Sequence, residues 1–179
     1  MKQQGFSLIE MLLAVAISSV LMMAVGKMLP LLQRDTLQLQ LRVQLQEELL
    51  QLVLLMEKAV RRAGYCHGVC SGEALRIEPH CLLVRWDENS NGKWEGSEHA
   101  ESERWGYRLR NQSLEVLRGA SSCEGSGWER ISDPRIVVLD ELQLLQQQQQ
   151  TIRIVLSGHV RQFPQLREQT EQWSDGGNL

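Results

Sequence analysis

Hydrophobic residues are arranged along this chain in three ways, and each predicts a different kind of element. Residues 6–32 are almost wholly apolar, interrupted only by Ser7, Glu10, Ser18, Ser19, Gly26, Lys27 and Pro30. A helix crosses a bilayer in roughly 20 residues, so this run is long enough to span one. Residues 31–63 are rich in Leu, Gln, Glu and Arg, with no Gly or Pro after Pro30, a composition that favours helix. Two periodicities compete there. Leu37, Leu39, Leu41, Val43 and Leu45 alternate as in a strand, whereas Leu45, Leu49, Leu52, Met56 and Ala59 recur as on one helix face. Propensity decides for helix throughout. Lys58, Arg61 and Arg62 suit the negative end of the helix dipole, and Gly64 can take the left-handed cap conformation. One helix over 6–63 would measure about 85 Å at ~1.5 Å per residue.

Beyond Gly64 the texture changes to short apolar or alternating runs between turn formers, at 81–86, 104–110, 113–117, 135–139 and 151–156. These predict antiparallel strands. Trp105, Tyr107 and Leu109, and again Ile152, Ile154 and Leu156, alternate as residues sharing a buried face. The glutamine run 146–150 predicts a solvated loop or strand edge. The tail 169–179 reads as frayed. Together these patterns predict an α+β fold, a long N-terminal helix packed on a small antiparallel β-sheet head. Its segments are a short leader (1–5), the transmembrane half of the helix (6–32), the soluble half (33–63) and a β-rich head (64–179).

A chain of 179 residues has room for one head. The formal net charge of -3 supplies no basic field for a nucleic-acid backbone. Lys2 on one side of the apolar run and Lys27 and Arg34 on the other leave its orientation undecided. The run lacks the small-residue cleavage site of a secretory signal.

Gly5-Phe6-Ser7-Leu8-Ile9-Glu10, opening the apolar run after a short polar leader, resembles the type IV prepilin signature. The resemblance implies cleavage by a prepilin peptidase between Gly5 and Phe6, and N-methylation of Phe6. It also implies that Glu10 acts in assembly by pairing with the Phe6 amine of a neighbouring subunit. A carboxylate inside an apolar helix needs such a reason, since it costs about 2.5 to 3.5 kcal/mol at the bilayer centre. The competing reading is a capping box, with Ser7 and Glu10 satisfying free amides of the first turn and no cleavage. Past the helix, Arg62-Ala63-Gly64-Tyr65-Cys66 and a Trp-Asp loop look like minor pilins of the prepilin peptidase-dependent protein B kind, with the PilW and GspJ groups as neighbours. The function implied is a structural subunit, a minor pilin or pseudopilin and not an enzyme. Its implied place is the bacterial inner membrane, single-pass, with the head in the periplasm. Its implied partners are the prepilin peptidase and other pilins or pseudopilins of a type IV pilus or type II secretion pseudopilus.

The segment from Asp87 to Glu98 matches the twelve-residue calcium-loop pattern D-x-[DN]-x-[DN]-G-x5-E. Oxygen ligands would come from Asp87, Asn89, Asn91, the Lys93 carbonyl, Glu95 and Glu98, with Gly92 at the sharp turn. The bland alternative is an Asx-rich hairpin turn without metal. An anchored periplasmic binding module stiffened by calcium is accordingly the alternative function.

Cys66, Cys70, Cys81 and Cys123 all follow the apolar run, and with a periplasmic head they predict two disulfides. Pairing is open from spacing; Cys123 is expected to pair across the fold, tying the region after the helix to the sheet. His67 and His80 could complete a zinc site with these thiols, but the spacing is not a standard one. Adjacent Cys66 and His67 do not place a nucleophile and base usefully, and no oxyanion motif accompanies them. His99 and His159 stand alone.

Overall fold

The computed structural model describes residues 7–147 and 150–179. Its elements, in order, are helix α1 (Leu8–Arg62) and strands β1 (Leu75–Glu78), β2 (Cys81–Arg85), β3 (Arg104–Arg110), β4 (Ser113–Arg118), β5 (Glu129–Arg130), β6 (Val137–Gln147), β7 (Thr151–Val160) and β8 (Phe163–Asp175). The fold is α+β, with two antiparallel sheets ordered β1-β2-β3-β4-β5 and β6-β7-β8. By internal contacts the chain divides into two units, Met1–Leu41 and Arg42–Leu179.

In the first unit the described residues are helical from Leu8 onward, and the helix runs unbroken through Gly26 and Pro30. Its apolar side chains from Leu8 to Met28 are exposed, Leu8 by 78% and Met22 by 79%.

The second unit holds the core. On α1, Leu45, Leu49, Leu52, Val53, Met56, Ala59, Val60 and Ala63 are all buried, a helical recurrence that disposes of the strand-like alternation. Leu39 and Val43, which that alternation would have paired with Leu45, are exposed. From β7 the core takes Ile152, Ile154 and Leu156, each fully buried. Two polar contacts dock β8 on the helix: the Ser174 hydroxyl donates to the Glu57 carbonyl at 3.3 Å, and Arg42 donates to Glu168. The sheets meet where the Leu139 N–H donates to the Gln112 carbonyl at 3.1 Å. Gly64 ends the helix at φ +85, but its N–H donates to the Arg85 carbonyl, not back into the helix. A Cβ there would lie 2.1 Å from the Asn178 carbonyl oxygen, so close approach of the C-terminal tail also demands glycine.

Several expectations need correction. The tail is not frayed from 169: β8 runs to Asp175 and pairs with β7 along its length. The strand expected at 135–139 starts at Val137 and continues to Gln147, through the first of the glutamines. In β3, Tyr107 is buried but Trp105 and Leu109 are only half-buried, whereas Gly106 and Arg108 on the opposite face are buried. That second face is covered by a satellite cluster in which Trp128, Leu117 and Cys123 pack on Cys81, Leu83 and Ala120. Arg108 joins it, bonded to Glu115 at 2.8 Å and to the Cys123 carbonyl at 2.8 Å, with its guanidinium 4.2 Å from the Trp128 ring centroid.

The cluster depends on Gly106 having no side chain, because a Cβ there would sit 2.6 Å from the Trp128 ring and 2.7 Å from the Ala120 Cβ. Gly106→Ala should therefore destabilise the chain by about 1–3 kcal/mol, the usual cost of overpacking. Denaturant unfolding of the purified chain checks this; an unchanged midpoint would mean that Trp128 moves aside freely.

Candidate functional site

Three places bear on function: the first turn of α1, the loop after β2, and the cysteines. Gly5 and Phe6 lie outside the described residues. Glu10 stands in the first helical turn, where its Oε2 accepts the Ser7 N–H at 3.1 Å. The Ser7 carbonyl in turn accepts the N–H groups of Glu10 and Met11 at 3.0 and 3.3 Å. This is one arm of a capping box, the acidic side chain reaching back to the first amide. Among the described residues the reciprocal bond, from the Glu10 N–H to the Ser7 hydroxyl, is not made; that N–H donates to the Ser7 carbonyl. One hydrogen bond leaves most of a carboxylate's accepting capacity unused. Glu10 also heads a segment whose apolar side chains face outward: no residue in its most apolar stretch is buried, and the helix is long and apolar enough to cross a membrane.

The loop after β2 closes largely on itself. Asp87 is 1% exposed; its Oδ2 accepts the N–H groups of His67 and Gly92, both at 2.9 Å, and its Oδ1 accepts that of Asn91 at 3.0 Å. Burial pushes the Asp87 carboxyl up, but the N–H groups of His67, Gly92, Asn91 and Ser90 together outweigh it and hold the group below its ordinary value. The Asn89 side-chain oxygen accepts the Asn91 N–H at 3.0 Å, and that of Asn91 accepts the Lys93 N–H at 2.9 Å. Gly92 takes φ +81 at the turn. Glu95 accepts from the Asn91 amide at 2.6 Å, while Glu98 is exposed. The spacing thus yields the turn, with the oxygens of Asp87, Asn89 and Asn91 taken up by amides of the loop and of His67. Among the described residues, no group of three or more His, Cys, Asp and Glu side chains is placed to hold a metal ion.

Sequence reasoning missed the residue that clamps this loop. Glu103, 1% exposed, accepts the N–H of Glu88 at 2.6 Å and of Asn89 at 3.3 Å through Oε1, and that of Glu95 at 3.4 Å through Oε2. Burial raises its pKa; the Asn89 amide pulls it down and the facing Glu95 carboxyl pushes it up again. Glu95 is held low, chiefly by the Asn91 side chain. The neighbouring carboxyl groups are thus pushed in opposite directions. No signal in the sequence marks Glu103, since it sits in a polar stretch just outside the loop pattern.

All four cysteines are in disulfides, Cys66–Cys70 and Cys81–Cys123. Cys123 does pair at long range, 42 residues away, but its partner is in β2, so the bridge braces the sheet and does not tie in the region after the helix. Closing a loop of that size contributes about 4 kcal/mol on the chain-entropy model. The zinc and thiol-nucleophile readings lose their ligands and nucleophile to these bonds. His80 is instead a structural contact, its Nδ1 2.9 Å from the Leu142 carbonyl oxygen.

The chain matches the family model described as prepilin peptidase-dependent protein B over residues 38–176, and that of the prokaryotic N-terminal methylation motif over residues 1–26. It is 42% identical over 171 residues to "Prepilin peptidase-dependent protein B" of Escherichia coli (strain K12), an alignment covering 94% of this chain and 91% of that protein. No solved structure matches it.

Glu103 and Asp87 carry opposite pH signatures. A buried acid whose folded pKa is raised contributes stability only in its protonated form, present below the unfolded pKa and lost as pH rises through the folded one. Asp87, held low, contributes above its unfolded pKa and loses that contribution as pH falls. Glu103→Gln should therefore raise the melting temperature relative to the unsubstituted chain near pH ~8, with the gap closing near pH ~4. Equal gaps at the two pH values would show that Glu103 is not a buried acid.

Proposed function

Because the chain belongs to the prepilin peptidase-dependent protein B family, we propose that it is a minor pilin or pseudopilin that the prepilin peptidase cuts between Gly5 and Phe6. Phe6 is then N-methylated, and the mature subunit waits in the inner membrane, single-pass, with its head in the periplasm. From there it joins other pilins or pseudopilins in a type IV pilus or a type II secretion pseudopilus, where its proposed role as a minor subunit is to prime assembly. The observation that carries this reading is the exposed apolar helix that begins at the methylation motif and carries a carboxylate in its first turn.

Cleavage and assembly are linked by charge. Glu10 has one local hydrogen bond, to the Ser7 N–H, which does little to offset the cost of a carboxylate in hydrocarbon. Cutting after Gly5 creates a cationic amine at Phe6. Paired with Glu10 of a neighbour, that amine removes an isolated charge from the apolar phase and sets the axial register of the two helices. The role is structural, and Cys66, whose neighbour in sequence is His67, is bonded to Cys70.

A second and separable reading concerns the loop after β2. Its spacing and the turn at Gly92 support a calcium site that forms on binding, with Glu98 swinging in to join Asp87, Asn89, Asn91, Lys93 and Glu95. Calcium would stiffen the loop and take no part in chemistry. Thermal melts in millimolar calcium and in chelator decide it: a calcium-specific rise supports the site, and identical melts remove it.

The processing step is tested by intact mass and N-terminal sequencing of the protein extracted from membranes, with and without the prepilin peptidase. A mature chain beginning at N-methylated Phe6, and only with the peptidase present, is expected. Retention of Met1 in the presence of the peptidase would overturn the reading and leave an anchored binding module.

A further inference from the structure

Antiparallel pairing in the first sheet sets two arginines side by side with no acid between them. β2 and β3 are in register such that Arg85 stands directly opposite Arg104. Residues opposed in this way share a sheet face with Cβ atoms roughly 5 Å apart, and like charges so placed destabilise the pair. Other arginines of the head, such as Arg108, Arg118 and Arg153, each have a carboxylate partner. Among the described residues, Arg85 and Arg104 have none. The Nε of Arg104 is buried with no hydrogen-bond partner, an expensive state for a charged donor. Arg85 lies 5.2 Å from the Trp94 ring centroid, a contact that occupies the face of the guanidinium and leaves its N–H edge free.

Both arginines line a cavity of about 310 Å³, together with Arg76, Glu73, Ser71 and Ser121. Arg76 is engaged by Glu73 at 2.6 Å. Three arginines and one glutamate give the lining a net charge of +2, from +3 and -1.

We propose that this cavity is an oxyanion site, taking a carboxylate or phosphate group of one or two negative charges between Arg85 and Arg104. Such a ligand turns an opposed like-charge pair into a two-pronged clamp and gives the Arg104 Nε–H its acceptor. Planar guanidinium forks match either oxyanion in a bidentate manner, and the Ser71 and Ser121 hydroxyls stand on the same walls as further donors. Glu73 at the rim, already committed to Arg76, disfavours more highly charged ligands. None of these residues belongs to the helix, the first turn or the 87–98 loop, so the site is independent of the assembly reading.

The test uses the full chain in detergent, melted in sodium succinate, in sodium phosphate and in sodium chloride at matched ionic strength. The unsubstituted protein should show a saturable rise beyond chloride, on the order of 5 °C at about a hundredfold excess over Kd. Arg104→Gln and Arg85→Gln should each abolish it. In chloride alone, Arg104→Gln should be at least as stable as the unsubstituted chain, because it removes the opposed like charge. A response to succinate identifies the ligand group as a carboxylate, and one to phosphate as a phosphate; either supports the site. Responses no greater than chloride, responses kept by both variants, or marked destabilisation by Arg104→Gln in chloride would each overturn it.

Discussion

The apolar side chains on the first turns of α1 are exposed, and the remaining features of this chain make sense only with that surface covered from outside. Leu8, Ile9, Met11, Leu12, Leu13 and Val15 are each more than half exposed. Burying a large aliphatic side chain is worth about 1.5–3 kcal/mol, so a stretch of them in water is untenable. A bilayer supplies the missing environment, and so does a bundle of identical helices. Farther along, the same helix carries a second stripe, Leu45 to Ala63, which the protein covers with its own strands. One element thus has an internal use and an external use, separated along its length.

Glu10 conflicts with this apolar surface in a productive way. A polar or charged residue inside a membrane helix is costly and usually functional, and here its only described bond is to the Ser7 amide. Elsewhere the head treats buried charge differently. Arg108 is satisfied by Glu115 and the Cys123 carbonyl, and Asp87 by amides of the loop and of His67. Buried ionic groups satisfied in this manner are held in place at modest cost. Against that pattern, Glu10, Arg85 and Arg104 stand out as charges with capacity to spare.

The long helix was legible because two independent signals, propensity and the recurrence of Leu45, Leu49, Leu52, Met56 and Ala59, agreed. The strands β2, β3, β4 and β7 were legible from alternation and from Trp, Tyr, Ile and Val content. β8 was not: Phe163–Asp175 is rich in Gln and Glu, residues with weak strand preference, and its structure comes from pairing with β7 and docking on α1. That is tertiary context overriding local preference. The loop spacing correctly marked a turn at Gly92, but the residue that clamps the loop amides, Glu103, lies outside the pattern. The Arg85–Arg104 opposition was invisible for a different reason, since strand register arises from topology and is not a property of either segment alone.

A photo-crosslinking residue at Leu12, an exposed apolar position near Glu10, reports most directly on what covers the helix in the cell. Adducts to the N-terminal helix of another pilin-like subunit, appearing only when the prepilin peptidase is active, are required if cleavage releases the helix into an assembly. Adducts that are the same with and without the peptidase, or that join lipid alone in both cases, would contradict it.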